Sequence, residues 1–279
     1  MAETANVCLK LSSRAENVLV VRQALTGFSE ALGLDAIETN DLATAVTEAC
    51  NNVVLHAYGD SEEGPLEVEI GALDDVIAVT VRDHGHGIGA HALDSMRSSE
   101  SGIGLPVMQA LAQQVTFKKV PDGGTEVQME FAAPKPHGIE PVEGWEPPVA
   151  TSALLAGTVE MTLAPGSIAR AVLPRVLCAL AARAYFSTDR IADVQLVADS
   201  LVAAARDSIV GSHLGVGVEL APRDLELRVG PLRGGVARRI IDEARDSTGL
   251  VLGRLTDGQR VAPAFDDTEV LALRMLQRR

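Results

Sequence analysis

Aromatic residues are scarce in this chain, at 3% of 279 residues, with one tryptophan, two tyrosines and five phenylalanines. The apolar content is 47%, so a core is affordable, but Ala, Val, Leu and Ile must build it. Positive charge is also short: 24 Lys and Arg stand against 38 Asp and Glu, for a net charge of −14 and a pI near 4.8. That balance is unsuited to phosphate backbones and argues against direct nucleic-acid binding; otherwise acidity of this kind serves solubility. Cys8, Cys50 and Cys178 are far apart and form no CxxC pair, which excludes a zinc-finger spacing and a disulfide framework. No apolar run reaches the ~18 residues of a membrane span. Met1–Asn6 is polar rather than basic then apolar, so no signal peptide is expected. The expectation is a cytoplasmic protein with no membrane partner.

Proline clusters in one place. Pro134, Pro136, Pro141, Pro147 and Pro148 fall between Ala133 and Ser152, with Gly138 and Gly144 among them. Such a stretch is expected to form neither helix nor central strand, and it divides the chain into domains at 1–132 and 153–279 joined by a stiff linker at 133–152. Trp145 lies in that linker, where it reads as an apolar anchor. In the first domain, periodicity predicts a strand at Asn6–Leu11 and helices at Asn17–Leu32 and Asp41–Tyr58, with Asp35 to Asn40 as a turn between them. Strands are expected near Leu66–Ile70 and Val76–Arg82, then a Gly- and Ser-rich loop and a helix over Leu105–Gln114. Strands at Val115–Val120 and Thr125–Phe131 around Asp122-Gly123-Gly124 close the unit. This order predicts a two-layer α/β sandwich, with a mostly antiparallel sheet and helices on one face.

The second half repeats the first. Asn6–Leu11 aligns with Thr158–Leu163 at a shift of 152, which also carries Leu25, Phe28 and Asp41 onto Leu177, Leu180 and Asp193. At shorter shifts Val79–Arg82 matches Leu225–Arg228, and Thr125–Val127 matches Thr268–Val270.

Three motifs carry chemistry. Glu48, Asn52 and His56 are four apart in a helix and share one stripe. The Asn52 amide oxygen suits Mg²⁺, and Glu48 can accept or orient a hydroxyl proton; a solvated polar face is the plain alternative. Asp83-His84-Gly85-His86-Gly87 follows a strand, so Asp83 can accept from an exocyclic amine of adenine while Gly85 and Gly87 let backbone pass close beneath a base. His84 and His86 point to solvent on this reading. Ser101-Gly102-Ile103-Gly104-Leu105 opens a helix, and its amides make a phosphate cradle that lacks the P-loop lysine. A bare DxGxG is common in turns and a Gly-rich cap in helices, so it is the order of the motifs that carries weight.

That order, with a Gly123-Gly124-Thr125 strand entry at the end, resembles the N-box, G1 and G2 series of the GHKL ATPases. The strings TEACNNVVLHAY and SGIGLPVMQALAQQV are most similar to the bacterial anti-sigma-factor serine kinases. The resemblance covers about residues 5–131 and implies the Bergerat fold, with ATP and Mg²⁺ as cofactors. It implies Glu48 as catalytic base and Asn52 as Mg²⁺ ligand. His56 would border the nucleotide, Asp83 would hold adenine with Thr125 nearby, and Gly85 and Gly87 would line the base pocket. Ser101, Gly102, Gly104 and Leu105 would meet the phosphates, and Arg22 would contact partners. The short segment Ala90–Glu100, and the absence of a helix pattern before the first strand, favour the serine-kinase branch over sensor histidine kinases. The implied activity is phosphorylation of a STAS-type anti-anti-sigma protein, with a sigma factor as further partner. The alternative is an ATP-dependent binding switch without phosphotransfer. In the repeat, Glu48, Asn52 and His56 fall on Ser200, Ala204 and Ser208, Asp83 falls on Val229, and the G2 glycines persist only as Gly234-Gly235. The second half is therefore expected to be a degenerate copy, packed on the first as a pseudo-dimer.

Overall fold

The computed structural model describes residues 6–59, 63–73, 75–86, 104–121, 123–133, 149–205, 208–243 and 250–277. Gly87, Ser101, Gly102 and Trp145 lie outside the described residues, as does the Ala90–Glu100 segment. The chain divides into two units, Met1–Pro141 and Val142–Arg279.

The first unit runs β1 (Val7–Ser12), α1 (Ala15–Leu32), α2 (Ala36–His56), β2 (Pro65–Leu73), β3 (Val76–Asp83), α3 (Gly104–Leu111), β4 (Gln114–Lys119) and β5 (Thr125–Ala132). Its strands pair antiparallel throughout, in the order β4-β5-β3-β2-β1. Strand alternation puts Val7, Leu9 and Leu11 of β1, Leu66, Val68 and Ile70 of β2, and Val127 and Met129 of β5 on one buried face. The helices cover that face with small aliphatic residues, among them Val21, Ala24 and Leu25 of α1 and Ala45, Val46 and Ala49 of α2. Phe28 supplies one fully buried ring. The opposite face is polar: Arg82 contacts Glu126 at 2.7 Å, Glu67 at 3.5 Å and Glu69 at 3.6 Å.

One expected turn is helix. Asp35 is the N-cap of α2, accepting from Ile37 N at 2.7 Å and Glu38 N at 2.9 Å, while the Glu38 carboxylate accepts from Asp35 N at 2.8 Å. This reciprocal capping box satisfies amides that a new helix would otherwise leave bare, so α2 starts at Ala36 rather than Asp41. Gly33 closes α1 in the left-handed region, with φ 74°.

The second unit runs α4 (Val149–Leu155), β6 (Val159–Leu163), α5 (Ser167–Arg183), α6 (Thr188–Ala205), β7 (Leu214–Ala221), β8 (Asp224–Arg233), α7 (Val236–Glu243), α8 (Leu250–Leu255), β9 (Gly258–Pro263) and β10 (Thr268–Leu276). Its strand order β6-β7-β8-β10-β9 repeats the first pattern, again antiparallel. The shift of 152 takes Ala15 to Ser167, Ala36 to Thr188 and Gly33 to Tyr185, where each helix starts or turns; Tyr185 keeps φ 62°. The α3 packing on α2 recurs as α8 on α6.

Three expectations change in this unit. The hairpin pairs Leu73 with Val76 and Ala221 with Asp224, so β3 aligns with β8 at a shift of 148. Val79 thus matches Leu227, and Asp83 matches Pro231 rather than Val229. Slipping a strand by two residues keeps every side chain on its face, so sequence pattern could not separate the registers. Gly234-Gly235 leads into α7, whereas the helix that precedes β9, as α3 precedes β4, is α8; the glycine pair is no remnant of the G2 box. Lastly, the expected linker ends in a helix. The prolines stop at Pro148, and α4 begins at the next residue, where a preceding proline is tolerated. It lies on the sheet face opposite α5 and α6, contacting β7, β8 and β10, so helices cover both faces of this sheet. Gly217 makes this possible: a Cβ there would stand 1.7 Å from the Leu155 carbonyl oxygen.

Candidate active site

The stripe on α2 is present, and α3 is brought against it. A Cβ on Gly104 would lie 3.1 Å from Glu48 Oε2 and 3.8 Å from Asn52 Oδ1. A side chain at the first residue of α3 would press on the Glu48 carboxylate, so glycine there leaves the approach open. Met108, fully buried, anchors the same helix onto the core. The Glu48 carboxylate and the Asn52 carboxamide thus converge where α3 begins. Hard oxygen donors beside a helix N-terminus fit a magnesium–phosphate group. Leu105 follows, half-buried. His56, one turn beyond Asn52, is exposed.

Asp83 ends β3 and is 3% exposed. Gly85 N donates to its Oδ1 at 2.9 Å, and Thr125 donates through both its backbone and its hydroxyl. Burial pushes the Asp83 pKa up, and these donors and nearby His84 pull it back in part. The pairing of β3 with β5 brings Thr125 to this carboxylate. Sequence reasoning placed Thr125 near adenine but missed its bonds to Asp83.

Gly85 lies against the C-terminal end of α2. Its Cβ would stand 1.9 Å from the Ala57 carbonyl oxygen, so the glycine lets the loop cross the C-terminal end of α2. His86 N donates to that same carbonyl at 2.9 Å. His84 and His86 are exposed, and no cluster of three metal-ligating side chains occurs among the described residues. Tyr58 is a group the sequence reading passed over: its hydroxyl reaches both Pro65 and His84. An aromatic placed just past the polar helix stripe was the available signal. Arg22 stands exposed on α1, away from these groups in sequence and element.

Among the described residues, the second unit shows no such convergence. Ser200, in the place of Glu48, donates back to the Leu196 carbonyl at 2.8 Å. Pro231 replaces Asp83, and the buried Glu269 carboxylate accepts from Ala237 N at the start of α7.

A family model described as a histidine kinase-like ATPase domain matches residues 11–131. Serine-protein kinase RsbW of Bacillus velezensis is 32% identical over 134 residues, spanning 43% of this chain and 81% of that protein. The anti-sigma F factor of Pasteuria penetrans is 33% identical over 129 residues, 43% of this chain and 86% of its own length. RsbW of Bacillus subtilis is 31% identical over 120 residues, 38% of this chain and 74% of that one. With likeness across most of those proteins' length, and an antiparallel sheet under helices, the chain belongs through its first unit to the histidine kinase-like ATPase family of RsbW and anti-sigma F factor.

Proposed function

We propose that this protein is an ATP-dependent serine-protein kinase and anti-sigma regulatory factor acting in a partner-switching pathway. The observation that carries the reading is the meeting of Glu48 and Asn52 with the glycine-opened N-terminus of α3, together with the buried Asp83 carboxylate at the end of β3. Asp83, held by Gly85 and Thr125, takes the exocyclic amine of adenine. Asn52 would hold Mg²⁺, which would neutralise phosphate charge when bound. The amides opening α3, with Ser101, Gly102 and Gly104, take the phosphates. Glu48 accepts the proton of an incoming serine hydroxyl as its oxygen bonds to the γ-phosphorus; the bond from that phosphorus to the β-phosphate oxygen breaks, and ADP leaves. The substrate is an anti-anti-sigma protein of the STAS class, a sigma factor is the second partner, and Arg22 belongs to that partner surface. The setting is the cytoplasm; among the described residues no helix is long and apolar enough to cross a membrane.

Nucleotide chemistry is confined to the domain at 1–132. The domain at 153–279, reached through 133–152, is a copy retained for its surface and takes a dimer partner's place as a pseudo-dimer. What supports this is the repeat of the fold with Ser200, Ala204 and Pro231 where the first unit has Glu48, Asn52 and Asp83. Titration of the full chain with Mg²⁺-ATP, followed by transfer of labelled γ-phosphate to serine of the antagonist, tests the reading. Tight ATP binding without transfer would select the second reading, a binding switch.

A further inference from the structure

Tyr58 stands two residues beyond α2, and its hydroxyl makes two hydrogen bonds. It donates to the Pro65 carbonyl at 2.6 Å and accepts from His84 N at 3.0 Å. Pro65 opens β2, and His84 directly follows Asp83. In the β2–β3 register Leu66 faces Asp83, so the phenol closes the strand end at which that carboxylate sits. The ring is itself fixed: a Cβ on Gly64 would lie 2.0 Å from Tyr58 Cε1. Burial pushes the phenol pKa up, which keeps the hydroxyl proton that serves Pro65. The next amide after His84, that of Gly85, donates to Asp83 Oδ1. The backbone that sets the direction of the Asp83 carboxylate is therefore held on one side by Tyr58.

We propose that Tyr58 is a positioning residue for base selection: by clamping His84 it aims the Asp83 carboxylate so that a purine carrying an exocyclic amine is preferred over one without. This rests on the reading that Asp83 receives the adenine amine. Phenylalanine fills the same space but neither donates to Pro65 nor accepts from His84, so selection loosens while the ring packing stays.

The test measures binding of ATP and of purine riboside triphosphate, which lacks the amine, to the full chain. Wild type prefers ATP, and in Tyr58→Phe that preference falls by roughly fivefold or more, the scale of one hydrogen bond. In an Asp83→Asn background Tyr58→Phe changes the preference no further. His84→Pro, which removes the donor and leaves Tyr58 in place, gives the same loss as Tyr58→Phe. A Tyr58→Phe protein that binds both nucleotides more weakly with its preference intact has lost only structural support, and that result overturns the proposal. A wild type that binds ATP without preferring it to the amine-free analogue would instead remove the Asp83 assignment, and the proposal with it.

Discussion

Asp83 couples binding and stability with opposite signs. Burial raises its pKa above the usual aspartate value, so the folded state holds its proton to higher pH than the unfolded chain does. Ionised Asp83 therefore costs the fold stability, and that cost is relieved as pH falls through its raised pKa. ATP affinity should move the other way, because only the carboxylate accepts well from the adenine amine. Acidification is predicted to weaken ATP binding at a pH where exposed aspartates are still ionised. Asp83→Asn should flatten that profile and weaken binding at neutral pH by ~1–3 kcal/mol. Calorimetry across pH checks both; an unchanged profile in the mutant would show that another group titrates. The thiols behave more simply: burial pushes Cys8 and Cys50 up to about 12, so they stay protonated at neutral pH.

At the scale of elements, the helix that departs most from expectation is α4, and its docking needs bare backbone on β7: a Cβ on Gly215 would stand 2.5 Å from Leu155 Cδ1, and one on Gly217 would stand 1.7 Å from the Leu155 carbonyl oxygen. Gly217→Val would drive a branched side chain into the Leu155 carbonyl, so the helix must shift from the sheet. The expected cost is roughly 1–3 kcal/mol, read as a lower unfolding temperature of the second unit. Gly258→Ala is the control, since its Cβ would sit 3.5 Å from Arg274 Cβ in ordinary contact. Equal effects of the two substitutions would mean that α4 is not held at Gly217. The same elements mark where sequence was and was not legible. The α2 stripe could be read because a spacing of four defines a helix face without any knowledge of neighbours. The capping box at Asp35 and Glu38 was also visible, but acidic and polar residues there imitate a turn. α4 was hidden by the prolines before it, and the β8 register by the two-residue period of strands. Tyr58 showed in the sequence only as an aromatic just past the α2 stripe; its role did not, because its two partners lie 7 and 26 residues away and only the fold assembles them.

On the scale of the whole molecule, the two units share a strand order and helix placement, while Glu48, Asn52 and Asp83 of the first correspond to Ser200, Ala204 and Pro231 in the second. The pseudo-dimer proposal predicts a monomer by light scattering at micromolar concentration, because the place of a second chain is already taken; a tight dimer would contradict it. The central claim is that the first unit is a kinase whose base is Glu48. The most direct measurement compares wild type and Glu48→Ala in the full chain for Mg²⁺-ATP affinity and for transfer of labelled γ-phosphate to the antagonist serine. Asp83 and the α3 amides should keep ATP bound in the mutant, while transfer drops by roughly 10²-fold or more. A mutant that transfers phosphate within about threefold of wild type, where a general base contributes ~10²-fold or more, would contradict the account.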